Sequence, residues 1–574
     1  MKTVSFDVFE TVIQRSVWPP SAVYQCVGKQ LDQLGLLSCN PVKFSFEREK
    51  SEIKAFRMYG PSYNLERIYS LFDKSLLVRD LDWNFISNIE ENVELELANP
   101  NPAVINLIHR WRDSNYYICF LSDTYLSSSA ILNILKKVNA YESGDFLYVS
   151  NEYGAFKKNG KLFKEILKKS NSHKIERHYG NSMDADFRGA NAAGIKGVCL
   201  KRGNATYLES LQEGFGRSND LAARLLGAQR LVRIKAEDEA KLTSLKIELA
   251  TGLLAPLNIA LMMWALARAR SNSNKKLYLL SRDGWLMWKM ALSTAPEWFE
   301  GIEIKYLYTS RQALSGMLSE EHIEYLKKAG VFSSDPICLV DVGWRGSLHE
   351  ALCKIRCSHG LIPSNGFFLG LDSCDDFSFA NYRDSIIKSS DFPDNIPGRI
   401  DSSVKFIVES MFCAPHGSVV GFSFADETPK PMFDKFYTDH QNNYGYGEMC
   451  SLAVEVFRLF VSDDSISNMT SDADFWAKYI KNLIDHFSFA APQDLAAEIG
   501  DLPVELDQGD IRWLPLAPEI AWLDALKVIF SGRSPKKHDR QWSHGSWLRA
   551  PRIRRQMGRL LFSILRKRNH MHHK

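Results

Sequence analysis

The segment Cys338-Leu339-Val340-Asp341-Val342-Gly343-Trp344-Arg345-Gly346-Ser347 runs from apolar residues to an acid and through a loop with two glycines. It then continues into Leu348-His349-Glu350-Ala351-Leu352. It reads as a buried strand ending at Asp341, a tight turn and a helix. A helix N-terminus carries unspent N–H groups and a partial positive charge, so such a turn suits an anion. On this reading Gly343 and Gly346 let the backbone approach a phosphate, while Ser347 adds a hydroxyl and Arg345 a planar cation. Asp341, at the carboxyl end of the strand, would hold sugar hydroxyls or a metal. A turn kept for packing alone is the other reading of this segment.

The pattern recurs upstream. Leu277-Tyr278-Leu279-Leu280 predicts a strand closed by Ser281-Arg282-Asp283-Gly284, with a helix opening at Trp285. Ile304-Lys305-Tyr306-Leu307-Tyr308 predicts another, closed by Thr309-Ser310-Arg311. Three strands ending in Arg, a hydroxyl, or Asp and Gly before a helix favour an anion site for a polyphosphate or sugar phosphate. Ser281, Arg282, Asp283, Gly284, Ser310 and Arg311 are its candidate contacts. The competing expectation is that Arg282 and Asp283 pair with each other and cap the helix.

At 574 residues the chain exceeds one core, and several domains are expected. Its net charge of +3 does not call for a nucleic-acid partner. The ten cysteines show no CxxC pair and no zinc spacing, which suits reduced thiols in a cytoplasm. The start, Met1-Lys2-Thr3-Val4-Ser5-Phe6-Asp7, runs straight into a strand and leaves no room for a secretory signal. The longest apolar run, Leu253 to Ala267, is broken by Pro256 and Asn258 and reads as a helix buried between domains rather than a membrane span.

In the N-terminal third, apolar strands are expected within Val4–Ile13, Tyr117–Thr124, Phe146–Ser150 and Glu176–Gly180. Polar clusters follow each: Asp7, Glu10 and Thr11; Ser122, Asp123 and Thr124; Lys157 and Lys158; Asn181, Asp184 and Asp186. Strands alternating with helices argue for a parallel sheet, whose ligands sit at the carboxyl ends. An Asp, a hydroxyl, a Lys and further acids brought together suit phosphoryl transfer through an aspartyl-phosphate with a magnesium ion.

These clusters, in this order, resemble the haloacid dehalogenase superfamily. Phe6-Asp7-Val8-Phe9-Glu10-Thr11 is similar to its first motif and Leu121-Ser122-Asp123-Thr124 to its second. Lys157 is similar to the third, and Gly180-Asn181-Ser182-Met183-Asp184-Ala185-Asp186 to the fourth. The resemblance implies a hydrolase domain over residues 1–205 with a helical cap at about 16–95. It makes Asp7 the nucleophile, Ser122 and Lys157 catalytic phosphate holders, and Thr11 and Asp123 further phosphate contacts. Asp7, Asn181 and Asp186 become magnesium ligands. Two positions depart from the family pattern. Phe9 stands where its phosphatases carry a general acid, leaving Glu10 as the nearest acid, and Asn181 replaces the leading Asp of the fourth motif.

Beyond it, residues 206–275 read as a helical connector, 276–430 as a second α/β domain, 431–545 as its helical part and 546–574 as a basic tail. The whole is similar to predicted hydrolases encoded among bacterial capsule and O-antigen genes. It also resembles bifunctional ribofuranose-adding enzymes, in which a phosphoribosyltransferase module works with a dehalogenase-like phosphatase. That resemblance implies phosphoribosyl transfer from phosphoribosyl pyrophosphate, or another sugar-phosphate donor, to a lipid-linked glycan, and then removal of the phosphate. Asp341 and Glu409 would be catalytic, with His416 near the acceptor or phosphate. From Arg549 onward, apolar residues at 553, 557, 560, 561, 564 and 565 face arginines, as in a helix lying on the inner face of a membrane. Two other readings stay open: a sugar-phosphate phosphatase with a non-catalytic C-terminal region, and a non-catalytic assembly protein of a polysaccharide complex.

Overall fold

A computed structural model of the chain describes residues 2–169, 174–299, 301–315, 318–373, 378–391, 399–425, 428–434, 444–462, 472–505, 513–518, 542–551 and 556. The chain forms two compact units, Met1–Lys241 and Leu242–Lys574. Each is built on a parallel sheet, so the mixed α/β expectation holds. Residues 552–574, apart from 556, lie outside the described part, and the amphipathic tail helix falls there.

In the first unit the strands are β1 (Lys2–Asp7), β2 (Ile13–Arg15), β3 (Ala98–Pro100), β4 (Tyr117–Ser122), β5 (Phe146–Val149), β6 (Lys174–Gly180) and β7 (Lys196–Cys199). Five of them form a parallel sheet in the order β5-β4-β1-β6-β7. The chain winds outward from β1 through β4 to β5, then returns to the other flank of β1 with β6. The switch point therefore lies between β1 and β6, where doubly wound sheets open a ligand crevice. From Thr3 onward β1 is buried throughout, as expected of a central strand covered on both faces.

Helices Val23–Gln33, Pro41–Tyr59, Leu65–Ser70 and Trp83–Leu97 come after β1, and antiparallel pairing of β2 with β3 joins the two ends of this insertion. Asn40 accepts from the Lys43 amide and Pro41 sits at the first helical position, which together start the second of these helices. At their centre Arg48 is buried, bonded to Glu90 at 2.6 and 2.9 Å and stacked among the rings of Tyr24, Tyr69 and Tyr125.

The helices Tyr207–Ser218 and Asp220–Glu239 belong to this unit instead of forming a connector to the second. Arg230 and Arg233 decide it. Both are buried and bind Glu209 at 3.0 and 2.6 Å, and Arg230 reaches Glu10 at 2.8 Å. On a sequence, arginines at helical spacing read as a solvated face.

In the second unit β8 (Lys276–Leu280), β9 (Glu303–Leu307), β10 (Ile337–Trp344), β11 (Asn365–Leu371) and β12 (Arg383–Lys388) form a parallel sheet in the order β12-β11-β10-β8-β9. Its switch point lies between β8 and β10. A hairpin of β13 (Val419–Ala425) and β14 (Thr428–Phe433) comes next, and then the helices Tyr446–Val461 and Ala473–Ala490. The apolar run at 253–267 is a core helix of this unit rather than a helix between domains. The stretch Ser244–Ser271 is apolar and long enough to cross a membrane, yet its most apolar window is buried within the fold, with Trp264 against Phe367 of β11 at 5.9 Å.

β10 corrects the strand reading in one respect. It does not stop at Asp341 but runs on to Trp344, because Gly343 pairs with Gly370 of β11. A Cβ on Gly343 would stand 1.9 Å from the Gly370 carbonyl oxygen, at a φ of +121°. Gly343 therefore serves strand packing. Gly343→Ala is expected to destabilise the protein by at least about 1–3 kcal/mol through clash and backbone strain. An unchanged denaturant midpoint would show that the strands are not paired here as described.

Candidate functional site

In the first unit the sequence clusters converge at the switch point. Asp7 ends β1 and is 6% exposed; Thr11 Oγ1 donates to its Oδ2 at 2.8 Å, and the Lys157 ammonium binds its Oδ1. Lys157 Nζ also lies 2.6 Å from Asp186 Oδ1. Asp123 accepts the Lys157 backbone N–H at 3.1 Å on both oxygens, so it anchors the lysine's loop instead of meeting a phosphate. Ser122 closes β4 beside Asp7, where the register pairs Asp7 with Leu121. Burial, helped by the Asp186 charge, pushes Asp7 up to about 7 against the pull of Lys157. Burial works against Asp186 as well, but Lys157 and His178 overcome it and hold that carboxyl well below its usual range.

Two candidates are placed elsewhere. Glu10 takes a left-handed turn (φ 56°), with its carboxylate held by Arg15 at 3.2 Å and Arg230 at 2.8 Å, so it is not a free acid. Asn181 Nδ2 donates to Asn204 at 2.7 Å. Asp184 is exposed and paired with Arg188. Phe9 lies under the Arg15 guanidinium at 4.2 Å.

The expected magnesium set is thus reduced to two carboxylates whose shared cation is Lys157. Among the described residues no group of three or more His, Cys, Asp or Glu is placed to hold a metal. Magnesium ordinarily takes one or two carboxylates from a protein, with waters and substrate phosphate completing its shell, so Asp7 and Asp186 would hold it, and no catalytic step is assigned to it.

The second unit holds a cavity of about 630 Å³ at the carboxyl ends of β8, β9 and β10. Ser281, Arg282, Asp283, Ser310, Arg311, Asp341, Gly343, Arg345, Gly346, Ser347 and Glu409 all line it, so residues far apart along the chain meet there. Asp283 and Asp341 hydrogen-bond to each other across the switch point. Burial first, then the charges of Asp341 and Glu409, raise Asp283 well above the carboxylate range, and burial lifts Asp341 up to about 6. The close approach of two buried carboxyls favours a shared proton, and Asp283 is the more strongly raised of the two.

Arg311 offsets the charge of Asp341 and Glu409. Glu409, raised by burial, accepts from the Trp344 indole at 2.8 Å. On the other flank the helix Ser347–Ser358 starts behind Gly346, whose φ of +70° suits glycine, with no side-chain cap. Its first intrahelical bond runs from the Glu350 amide to Gly346 O, so the Ser347 and Leu348 amides at the cavity wall are not spent within the helix. Among the described residues Arg345 and Arg399 are exposed and have no carboxylate partner.

Several expected contacts serve the fold instead. The Ser281 hydroxyl donates to Thr309 O at 2.6 Å and accepts from the Thr309 amide at 2.9 Å, which ties β8 to β9. Ser310 donates to Val419 O at 2.6 Å and accepts from the Ala313 amide. Gly284 does not line the cavity; a Cβ there would press on Leu279 at 2.6 Å. Asp283 pairs with Asp341 and does not cap the next helix, whose cap position is Gly284. His416 is bonded to Tyr306 at 2.9 Å, packs on Phe433 and is absent from the cavity lining.

The cavity also gains residues that local patterning does not signal. Lys405 binds Asp372 at 2.6 Å, and Asp372 takes the Ile400 amide at 2.9 Å, which fixes Arg399 at the rim. No protein-family model and no curated protein sequence matches this chain.

Proposed function

We propose that the second unit transfers a phosphorylated sugar from a pyrophosphate donor of the phosphoribosyl type to a hydroxyl of a glycan, and that the first unit removes the remaining phosphate. The observation that carries this reading is the cavity at the β8–β10 switch point, where a proton-sharing acid pair lies among arginines and beside a helix N-terminus. Asp341 takes the proton of the acceptor hydroxyl as its oxygen bonds to the anomeric carbon. The bond from that carbon to the pyrophosphate oxygen breaks, and pyrophosphate leaves with the electron pair. Arg282, Arg311, Arg345 and the amides of Ser347 and Leu348 meet its charge. Supporting the second step, Asp7 is oriented by Thr11 for attack on a phosphorus atom, and a lipid-linked glycan acceptor would suit the basic tail.

The direct test mixes the full-length protein, phosphoribosyl pyrophosphate and a membrane-glycan extract, with and without magnesium, and monitors pyrophosphate and orthophosphate separately. Acceptor-dependent pyrophosphate and then orthophosphate is the expected result. Orthophosphate alone would leave only the phosphatase, and neither product would overturn both steps.

Because Phe9 is apolar and Glu10 is held by two arginines, neither stands as a free acid toward a departing alcohol in the first unit. Phosphate release is therefore expected to be slow and to rise at least about tenfold in Phe9→Asp, toward the usual benefit of a positioned acid. Equal rates for the two proteins, measured on p-nitrophenyl phosphate and on an alkyl phosphate, would remove that explanation.

A further inference from the structure

We propose that His178, with Ser5 behind it, is a positioning residue of the Asp7 site that divides the Lys157 ammonium between Asp7 and Asp186. This rests on reading that site as a phosphoryl-transfer centre. Ser5 and His178 are fully buried and sit opposite each other in the β1–β6 register. Ser5 Oγ lies 2.9 Å from His178 Nδ1, and His178 Nε2 lies 3.1 Å from Asp186 Oδ1, the same oxygen that Lys157 binds at 2.6 Å. The other Asp186 oxygen accepts the Ser182 amide at 2.8 Å. The ring of Phe163 packs edge-on against the imidazole at 4.8 Å.

The partners fix the proton positions. A carboxylate that receives an ammonium and a backbone amide only accepts, so His178 Nε2 carries the hydrogen. In a neutral imidazole Nδ1 then accepts, and the Ser5 hydroxyl supplies that hydrogen in preference to its longer contact with Arg177 O at 3.3 Å. The result is one buried chain, Ser5–His178–Asp186–Lys157–Asp7–Thr11, with a single cation between two carboxylates. The imidazole N–H draws charge from the oxygen that competes with Asp7 for Lys157. Without it Asp186 would hold the ammonium more strongly, and Asp7 would keep only the Thr11 hydroxyl as a partner.

The test uses the full chain and three variants, His178→Gln, His178→Leu and Ser5→Ala. The ring tautomer of His178 is read by NMR of ¹⁵N-histidine-labelled wild type, orthovanadate binding by calorimetry, and phosphate release from p-nitrophenyl phosphate as separate kcat and KM. The expected tautomer is Nε2–H. His178→Leu is expected to lower kcat and vanadate affinity by roughly 10- to 100-fold, as when an orienting bond behind a ligand is lost, with KM little changed. His178→Gln, whose amide N–H can replace the donor, should recover most of that loss, and Ser5→Ala should lose less than His178→Leu.

An Nδ1–H tautomer, an imidazolium, or equal impairment in the Gln and Leu variants would overturn the proposal, as would a Leu variant that binds vanadate like wild type. Should wild type release no phosphate, the phosphatase reading falls by itself. The tautomer and the ratio of vanadate affinities still decide for or against the positioning role.

Discussion

Asp341→Asn is expected to lower acceptor-dependent pyrophosphate release by roughly 10²- to 10⁴-fold, the range for loss of a positioned base. The reason lies in the proton count. Asp283 and Asp341 face each other in a buried crevice, and burial with two neighbouring carboxylates opposes the charge of Asp283. Asp341 is the less strongly raised partner, lifted up to about 6, which places its basicity near a neutral working pH. An amide at position 341 cannot take the acceptor's proton, although it can still accept the hydrogen bond from Asp283.

Donor binding should survive, since Arg282, Arg311, Arg345 and the helix start are untouched. The wild-type rate should rise with pH through about 6 as Asp341 ionises. Asp283→Asn should cost less, because it removes the shared proton but leaves the base. If Asp341→Asn transfers as fast as wild type, or if the acid limb is missing, the base lies elsewhere, and Glu409, which also lines the cavity, becomes the next residue to change.

Lys157→Met is expected to be the most damaging single change in the first unit. It takes the one cation from between two buried carboxylates, and breaking a buried pair from one side costs about 3–5 kcal/mol. The groups themselves set the direction with pH. Burial opposes the Lys157 charge, but Asp7 and Asp186 overcome it and raise its pKa above the ordinary value. The lysine's contribution is therefore fully present below the unfolded lysine pKa and lost only in strong alkali.

In the variant the carboxylates must find another route to neutrality. Asp7 already stands near 7, above its unfolded value, so its folded form takes up a proton as pH falls and its ionisation destabilises the fold as pH rises from about 4 to 7. The stability deficit of Lys157→Met should then be larger at pH 8.5 than at pH 5.5, in denaturant unfolding of the full chain. A deficit independent of pH, or larger in acid, would show that Lys157 does not neutralise this pair.

Much of this arrangement was legible in local patterning. Apolar runs closed by polar clusters, with helical spacing after them, predicted parallel strands, and a parallel sheet presents its strand ends on one edge. That logic brought Asp7, Thr11, Ser122, Lys157 and Asp186 together in one unit, and Asp283, Asp341 and Arg311 together in the other. Strand register was less accessible. Nothing before Gly343 shows that β10 continues past Asp341, because the cause is a glycine on another strand, Gly370.

Partner choice was not accessible at all. The sequence by itself determined which residue types stand at each strand end, since the period of a strand and the start of a helix are written in neighbouring residues. Only the tertiary structure decided that Asp283 lies against Asp341, that Ser281 and Ser310 are spent on backbone, and that Arg230 holds Glu10. It alone placed His178 behind Asp186. The physical reason is that a hydrogen bond or an ion pair depends on ångström-scale distance and on burial. The crossovers at the β1–β6 and β8–β10 switch points set both, bringing together side chains far apart along the chain in a medium where an unpaired charge is costly.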